Sequence, residues 1–235
     1  MKNVVLLFAF LSLANQLTAQ IQNARGAEIN GLRTQMSGTI ALTDFSSRAG
    51  TAKILSDLNI QGKPYLKEEN SMGVFYQSNG IIKILTRINY YAKGFEFEAD
   101  GNTYVTTSNT IDSVIVDGET YVFRTFNLKG DSITTVLKVL GRRGRNVLYV
   151  YRGVEFVQEV KPGPLVDYKP AHFEWNDPLY LFELGGKLIT LNNFKRLLEV
   201  LPAKEKDIRK FIKENSIQKD DMEGLRRLLD YVSGL

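Results

Sequence analysis

The chain contains one histidine, His172, in the stretch Tyr168-Lys-Pro-Ala-His-Phe-Glu-Trp-Asn-Asp-Pro178, which also holds the only tryptophan, Trp175. A lone imidazole can act as a general base when a carboxylate orients it, and Asp167, Glu174 and Asp177 are close in sequence. Other chemistry needs more partners. An acyl-transfer triad would require a nucleophile elbow, and no Gly-x-Ser-x-Gly occurs. A zinc site would require several His or Cys, and the chain has one His and no Cys. In an extended segment Phe173 and Trp175 point to one side while His172, Glu174 and Asn176 point to the other. The stretch therefore reads as an aromatic anchor with His172 facing solvent.

Three further sets of side chains could do chemistry. Glu96 and Glu98 share one face of a strand, about 7 Å apart at the backbone, and invite comparison with a glycosidase pair. Their alternation with Phe95 and Phe97 is equally that of a strand with one wet face. Arg142, Arg143 and Arg145 sit on a tight basic turn, Gly141-Arg-Arg-Gly-Arg-Asn146, that could grip an anionic group or a partner. The chain has 11 Tyr and 13 Phe, so Tyr90, Tyr91, Tyr104, Tyr149 and Tyr151 could line a glycan or lipid cavity, although aromatics also fill β cores. Asp220 and Asp221 read as the cap of a helix, not as a calcium loop. No catalytic residue, metal ligand or cofactor is assigned, and a non-enzymatic protein is expected.

The elements that must carry these residues begin after a targeting segment. Lys2, the apolar run Val4 to Ala14 and Leu17-Thr-Ala19 form a secretory signal, with cleavage expected after Ala19 or Gln20. Eleven apolar residues fall short of the ~20 that span a bilayer, and no other run is long enough. Without Cys there is neither a disulfide framework nor a lipoprotein anchor. The formal net charge of +4 falls by one when Lys2 leaves. That is too little for a nucleic-acid binder, and peripheral association with a membrane stays open.

Residues 21–61 are polar and weakly periodic and read as a flexible lead-in, with a strand suggested at Thr39–Phe45 and a short helix at Ala52–Leu58. Residues 62–191 turn to β. Asn79-Gly80, Lys93-Gly94, Asp100-Gly101, Asp117-Gly118, Gly130-Asp131, Arg143-Gly144 and Gly185-Gly186 punctuate alternating apolar runs. Ile133–Leu140 and Val147–Tyr151 are apolar on both faces and should lie centrally. About ten strands in sequential hairpins predict a mainly β domain, an antiparallel meander closed into a barrel or a sandwich. Residues 192–235 switch to a period of 3.6. Pro202 divides a first helix from a second, Asn215 offers a left-handed stop, and Asp220 with Glu223 suggests a capping box for a third. The expectation is a cluster of three short helices appended to the sheet.

Three pieces, Gly62-Lys-Pro-Tyr-Leu66, Arg87-Ile-Asn-Tyr-Tyr91 with Phe95-Glu-Phe-Glu98, and Phe211-Ile-Lys-Glu-Asn215 with Leu225 to Val232, resemble a group of secreted or periplasmic proteins common in Bacteroidota. The resemblance covers roughly Gly62 to the C-terminus. It implies a Gram-negative envelope and no catalytic activity. The expected function is therefore that of an exported envelope protein, periplasmic or extracellular, which binds or scaffolds an envelope protein or glycan. The alternatives are a hydrolase using Asp or Glu and a small lipid or glycan carrier. An outer-membrane barrel is disfavoured, because the chain ends in charged helices instead of a closing strand.

Overall fold

The computed structural model describes residues 60–78, 80–99, 102–106, 111–162 and 167–235. The signal segment and nearly all of the lead-in, including 39–45 and 52–58, lie outside the described residues. Twelve strands are described: β1 Ser71–Gln77, β2 Gly80–Asn89, β3 Gly94–Ala99, β4 Asn102–Thr106, β5 Ile111–Val116, β6 Glu119–Leu128, β7 Asp131–Arg143, β8 Asn146–Tyr151, β9 Val154–Val157, β10 His172–Trp175, β11 Leu179–Leu184 and β12 Lys187–Thr190. Ten of them form one antiparallel sheet in the order β12-β11-β8-β7-β6-β5-β1-β2-β3-β4, and β9 pairs with β10 alone.

The mainly antiparallel β reading holds, and the turns lie where the sequence marks them. Asp117 and Gly118 have φ of 52° and 78°, Lys129 and Gly130 of 55° and 102°, and Gly185 and Gly186 of 56° and 83°. Such positive pairs match the right-handed twist of the strands they join. The closed barrel is corrected. Among the described residues the two end strands, β4 and β12, are not bonded to each other, and the sheet stays open.

The sheet is nonetheless rolled at one end. β4 lies four strand spacings from β5 in sheet order, about 19 Å if flat. The link from Thr106 to Ile111 spans five residue steps, at most ~17–18 Å. The chain therefore cannot make this connection across a flat sheet. β2 supplies the corner. Its residues Gly80–Thr86 pair with β1, and only Arg87, Ile88 and Asn89 pair with β3. Beyond the corner the β3–β4 hairpin folds over the face of β1, β5 and β6. Phe95 accordingly sits edge-on to Phe75 at 5.3 Å and Phe123 at 5.8 Å. At the start of β3 a Cβ on Gly94 would lie 2.1 Å from the Thr106 carbonyl oxygen, so only glycine permits the approach of β4.

The other end of that face is covered by helices: α1 Lys195–Val200, a 3-10 turn Pro202–Lys204, α2 Glu205–Glu214 and α3 Met222–Ser233. This corrects the expectation of three short helices. Pro202 does stop α1, but its fixed φ and missing N–H suit the start of a turn, and the 3-10 turn runs directly into α2. α3 is twelve residues long. Its N-cap is Asp221, with no side-chain cap bond, so the Asp220 capping box does not form. The left-handed residue after α2 is Ser216, φ 50°, while Asn215 has φ −97° and turns its amide to the Phe211 carbonyl.

Leu197, Leu198, Ile208, Leu225, Leu228 and Leu229 are buried with Leu148, Phe182 and Ile189 of the sheet, whereas Phe211 and Ile212 are only half buried. Leu225 is fully enclosed. A charge placed there would be desolvated without a partner, at several kcal/mol. Leu225→Asp is therefore expected to release α3, seen in hydrogen exchange as lost protection over residues 222–233 while β1, β5 and β6 stay protected. Retained protection of α3 would contradict this packing.

Candidate functional site

The described interior gathers ionisable side chains in two places, and the first is the β2 corner. Alternation places Leu85, Arg87 and Asn89 on the face of β2 opposite Ile82 and Ile84. Arg87 lies directly across from Glu96 in the register. The side chains of Glu96 and Arg87 are 8% and 29% exposed. Arg87 Nε donates to Glu96 Oε1 at 2.8 Å, and its Nη2 makes a second, shorter bond to the same oxygen. Asn89 Nδ2 donates to Oε2 at 2.8 Å, and the Tyr65 hydroxyl reaches Oε2 at 3.0 Å. The Tyr65 ring also lies under the guanidinium, 4.0 Å from its centroid to Arg87 Cζ. Both carboxylate oxygens thus accept hydrogen bonds from several donors, as a buried charge requires.

The segment that delivers Tyr65 is itself laced down. Gln61 N–H donates to Ala171 O at 2.9 Å and Gln61 O accepts from Phe173 N–H at 2.9 Å. Trp175 Nε1 donates to Lys63 O at 3.2 Å, and Tyr90 N–H donates to Pro64 O at 3.0 Å. Gly62, at φ 73°, passes so close to β10 that a Cβ would sit 3.3 Å from the Phe173 oxygen. The rings of Trp175 and Phe173 then pack on Tyr90 and Tyr91, at 5.3 and 5.4 Å.

The aromatic residues of the His172 stretch are thus the anchor of β10. His172 is half buried instead of facing open solvent. Its Nδ1 lies 3.1 Å from the Pro170 carbonyl, and among the described residues it bonds to no carboxylate. It borders a shallow recess with Gln61, Gly62, Lys169, Pro170 and Phe173. The backbone carbonyl on Nδ1 sets the ring's orientation, and among the described residues no carboxylate takes that place.

The second place lies on the same sheet face, farther along. Arg124 Nε donates to Glu183 Oε2 at 3.2 Å, and the Tyr149 hydroxyl donates to the same oxygen. Tyr149 is fully buried, beside Leu137 and Leu181. The tyrosines expected to face a ligand do not share one surface. Tyr90 and Tyr91 hold β10, Tyr104 stacks on Phe97 at 5.7 Å, and Tyr151 meets Phe126 at 5.5 Å. The glycosidase geometry does not form either: Glu96 is enclosed while Glu98 is exposed. Sequence reasoning placed Glu96 on a wet face. The signal it passed over is Arg87-x-Asn89 facing Glu96 across the Lys93-Gly94 turn.

The basic turn is partly engaged. Arg143 bonds to Asp230 of α3, Asn146 Nδ2 donates to Ser233 Oγ at 3.1 Å, and Arg226 Nε donates to Leu140 O at 3.0 Å. These bonds fasten α3 to the β7–β8 hairpin. Arg142 and Arg145 remain exposed at its tip. Among the described residues no group of three His, Asp or Glu could hold a metal, and no helix is long and apolar enough to cross a membrane. Comparison with family models, with curated proteins and with solved structures finds no match to the chain.

Two outcomes test the Glu96 cluster. Arg87→Met leaves a buried carboxylate without its cation and should cost about 3 kcal/mol in urea unfolding, the low end for a broken buried pair because Arg87 is partly wet. Adding Glu96→Met should recover part of that loss, giving a coupling energy above the ~0.5 kcal/mol of independent sites. Additive losses would show that the pair is not coupled.

The tyrosines set an alkaline limit. Burial, then the nearby Glu96 charge, pushes the Tyr65 phenol up to about 12, and burial with the Glu183 bond does the same for Tyr149. A phenol whose value is raised on folding favours the neutral form. Its contribution is complete below the unfolded value near pH 10 and is lost as the pH rises towards 12. Stability should therefore be flat from pH 8 to about 9.5 and fall above it. Tyr65→Phe should weaken that fall, and an unchanged slope would exclude Tyr65 as a contributor.

Proposed function

We propose that the protein is an exported, non-enzymatic component of the cell envelope that binds or scaffolds an anionic envelope partner, protein or glycan. The observation that carries this reading is the β7–β8 tip. Arg142 and Arg145 project from a hairpin held by the Arg143–Asp230 pair and the Asn146–Ser233 bond. Guanidinium groups on a braced element lose less freedom on binding than groups on a loose loop, which favours recognition of phosphate or carboxylate. The interior carboxylates supply a supporting contrast. Glu96 and Glu183 are each occupied by an arginine and a tyrosine, an arrangement suited to holding strands together.

Export rests on Lys2, the Val4–Ala14 run and Ala19. The resemblance to secreted proteins of Bacteroidota supports a periplasmic or extracellular location. Affinity capture from envelope fractions with the processed protein, identifying bound proteins and glycans together, tests both parts. The mature N-terminus should begin near Gln20 or Ile21. Arg142→Glu with Arg145→Glu should remove the captured anionic partner while stability changes by no more than about 0.5 kcal/mol, as for surface substitutions. Soluble cytoplasmic protein retaining Met1 would overturn export, and capture indifferent to both charge reversals would overturn the assigned surface.

A further inference from the structure

The boundary between the two covers of the sheet runs along one row of residues. Tyr121, Lys138, Val150 and Tyr180 face one another across β6, β7, β8 and β11. Tyr121 packs on the apolar cluster under the β3–β4 hairpin, and Tyr180 on the cluster under the helices. Arg152 is the first residue after β8. It lies two residues beyond Val150, and alternation puts it on the same side of the sheet. Its backbone is held in place. The Gly153 carbonyl accepts from Asn176 N–H at 2.9 Å, and a Cβ on Gly153 would lie 2.7 Å from the Tyr151 hydroxyl.

Three hydrogen-bond donors converge here without an acceptor. Arg152 is half buried, and among the described residues it makes no hydrogen bond or ion pair. Tyr90 is 8% exposed, and its ring packs on Trp175. Neither its hydroxyl nor that of Tyr121 is hydrogen-bonded among the described residues. The three groups are close enough to act on one another. Burial, then Tyr121, holds the Tyr90 phenol above its ordinary value, and Arg152 works against that rise. Burial, then the charges of Glu119 and Asp117, pushes Tyr121 up to about 12, again against Arg152. Both phenols therefore keep their protons at neutral pH. The acids nearby are already matched. Lys67 bonds to Asp117 at 2.8 Å and Lys138 to Glu119 at 2.9 Å, while Glu155 accepts from Asn176 at 3.1 Å and lies 3.9 Å from Lys129. Arg152 is left as one uncompensated positive charge.

We infer that Arg152, Tyr90 and Tyr121 form a binding site for the carboxylate of a small acidic ligand. A guanidinium takes both oxygens of a carboxylate in a fork, and two phenols can donate to the remaining lone pairs. Partly buried donors left unpaired call for such an acceptor. One positive charge also balances one negative charge. A phosphate monoester, with a charge of about −1.5 to −2 at neutral pH, would leave an excess in a half-buried site. The site is distinct from the basic tip. Arg142 and Arg145 flank the start of β8 and Arg152 follows its end, roughly 20 Å along the strand.

The single tryptophan beside Tyr90 gives the test a local reporter. The processed full chain, labelled with 15N, would be titrated with sodium glucuronate, sodium acetate, glucose and inorganic phosphate at constant ionic strength. Glucuronate should shift the Trp175 indole and the Gly153 amide saturably, with a Kd on the order of 1 mM, and neutral glucose should not. Arg152→Gln removes a side chain with no partner of its own, so the rest of the spectrum should be kept while binding weakens about tenfold or more. Tyr121→Phe should weaken it severalfold. Arg142→Glu with Arg145→Glu should leave it unchanged, which separates this site from the basic tip. Tighter binding of glucuronate than of acetate would identify an acidic sugar as the source of the carboxylate. Equal or tighter binding of acetate would identify a free organic acid. Shifts that saturate with neither acid, an affinity that survives Arg152→Gln, or tighter binding of phosphate would overturn the assignment.

Discussion

The buried carboxylate of Glu96 is the constraint on which the rest of the architecture turns. β2 and β3 are joined by only three residue pairs, Arg87 with Glu96, Ile88 with Phe95 and Asn89 with Gly94. So short a ladder specifies its register weakly by hydrogen bonding alone. A slip of one residue would rotate Glu96 to the opposite face, among Phe75, Val114 and Phe123, with no donor to meet it. In the observed register it meets Arg87, Asn89 and Tyr65 together. The ion pair need not add much net stability over an apolar substitute, because desolvation offsets most of its attraction. Its effect is to make the alternative registers far worse. That register places Phe95 over Phe75 and brings β4 close enough for a short link to β5.

The same cluster ties together parts of the chain that are distant in sequence. Tyr65 arrives from a segment held to β10 by Gln61 and to the end of β2 by Pro64. β10 in turn is held by Trp175 and Phe173 on Tyr90 and Tyr91, the residues that follow Asn89. The corner, the entering chain and the small β9–β10 ribbon thus stabilise one another around one anionic group. The helical end depends on none of these contacts. Its core is Leu197, Ile208, Leu225 and Leu228 against Leu148 and Phe182, with Arg143 and Arg226 as fasteners. The sheet therefore carries two independent covers on one face, a folded-back hairpin at one end and helices at the other.

Much of this was legible in the sequence, for reasons that are local. Alternation in Ile133–Leu140 and Val147–Tyr151 reports the two faces of a strand directly, and β7 and β8 are indeed interior. Glycine pairs report positive φ, and 3.6-residue spacing reports the helix faces. What was not legible depends on contacts between distant residues. Closure of a sheet is decided by whether its end strands meet, and no local pattern encodes that. Glu96 and Glu98 are similar in local context, both alternating with apolar residues of β3. Only the partner strand and Tyr65, 31 residues away, separate a buried structural acid from a wet one. The helix ends were misplaced by about one residue, with Asp221 instead of Asp220 as N-cap and Ser216 instead of Asn215 as the left-handed stop. Neighbouring residues of similar cap propensity leave that choice to packing.

The candidate surfaces follow the same division between local and distant determinants. A charge on a turn is exposed wherever the turn goes, so Arg142 and Arg145 could be singled out before the fold was known. What the fold adds is rigidity, because Arg143 between them turns away to Asp230. One residue type at three sites of a single turn is thus split, two guanidinium groups exposed and one fastening the hairpin to α3. Tyrosine divides in the opposite sense. Tyr90, Tyr91, Tyr149 and Tyr151 look like ligand contacts when counted, yet each has its ring against a neighbouring core or anchor residue. Aromatic abundance in this chain therefore measures how much sheet surface must be covered.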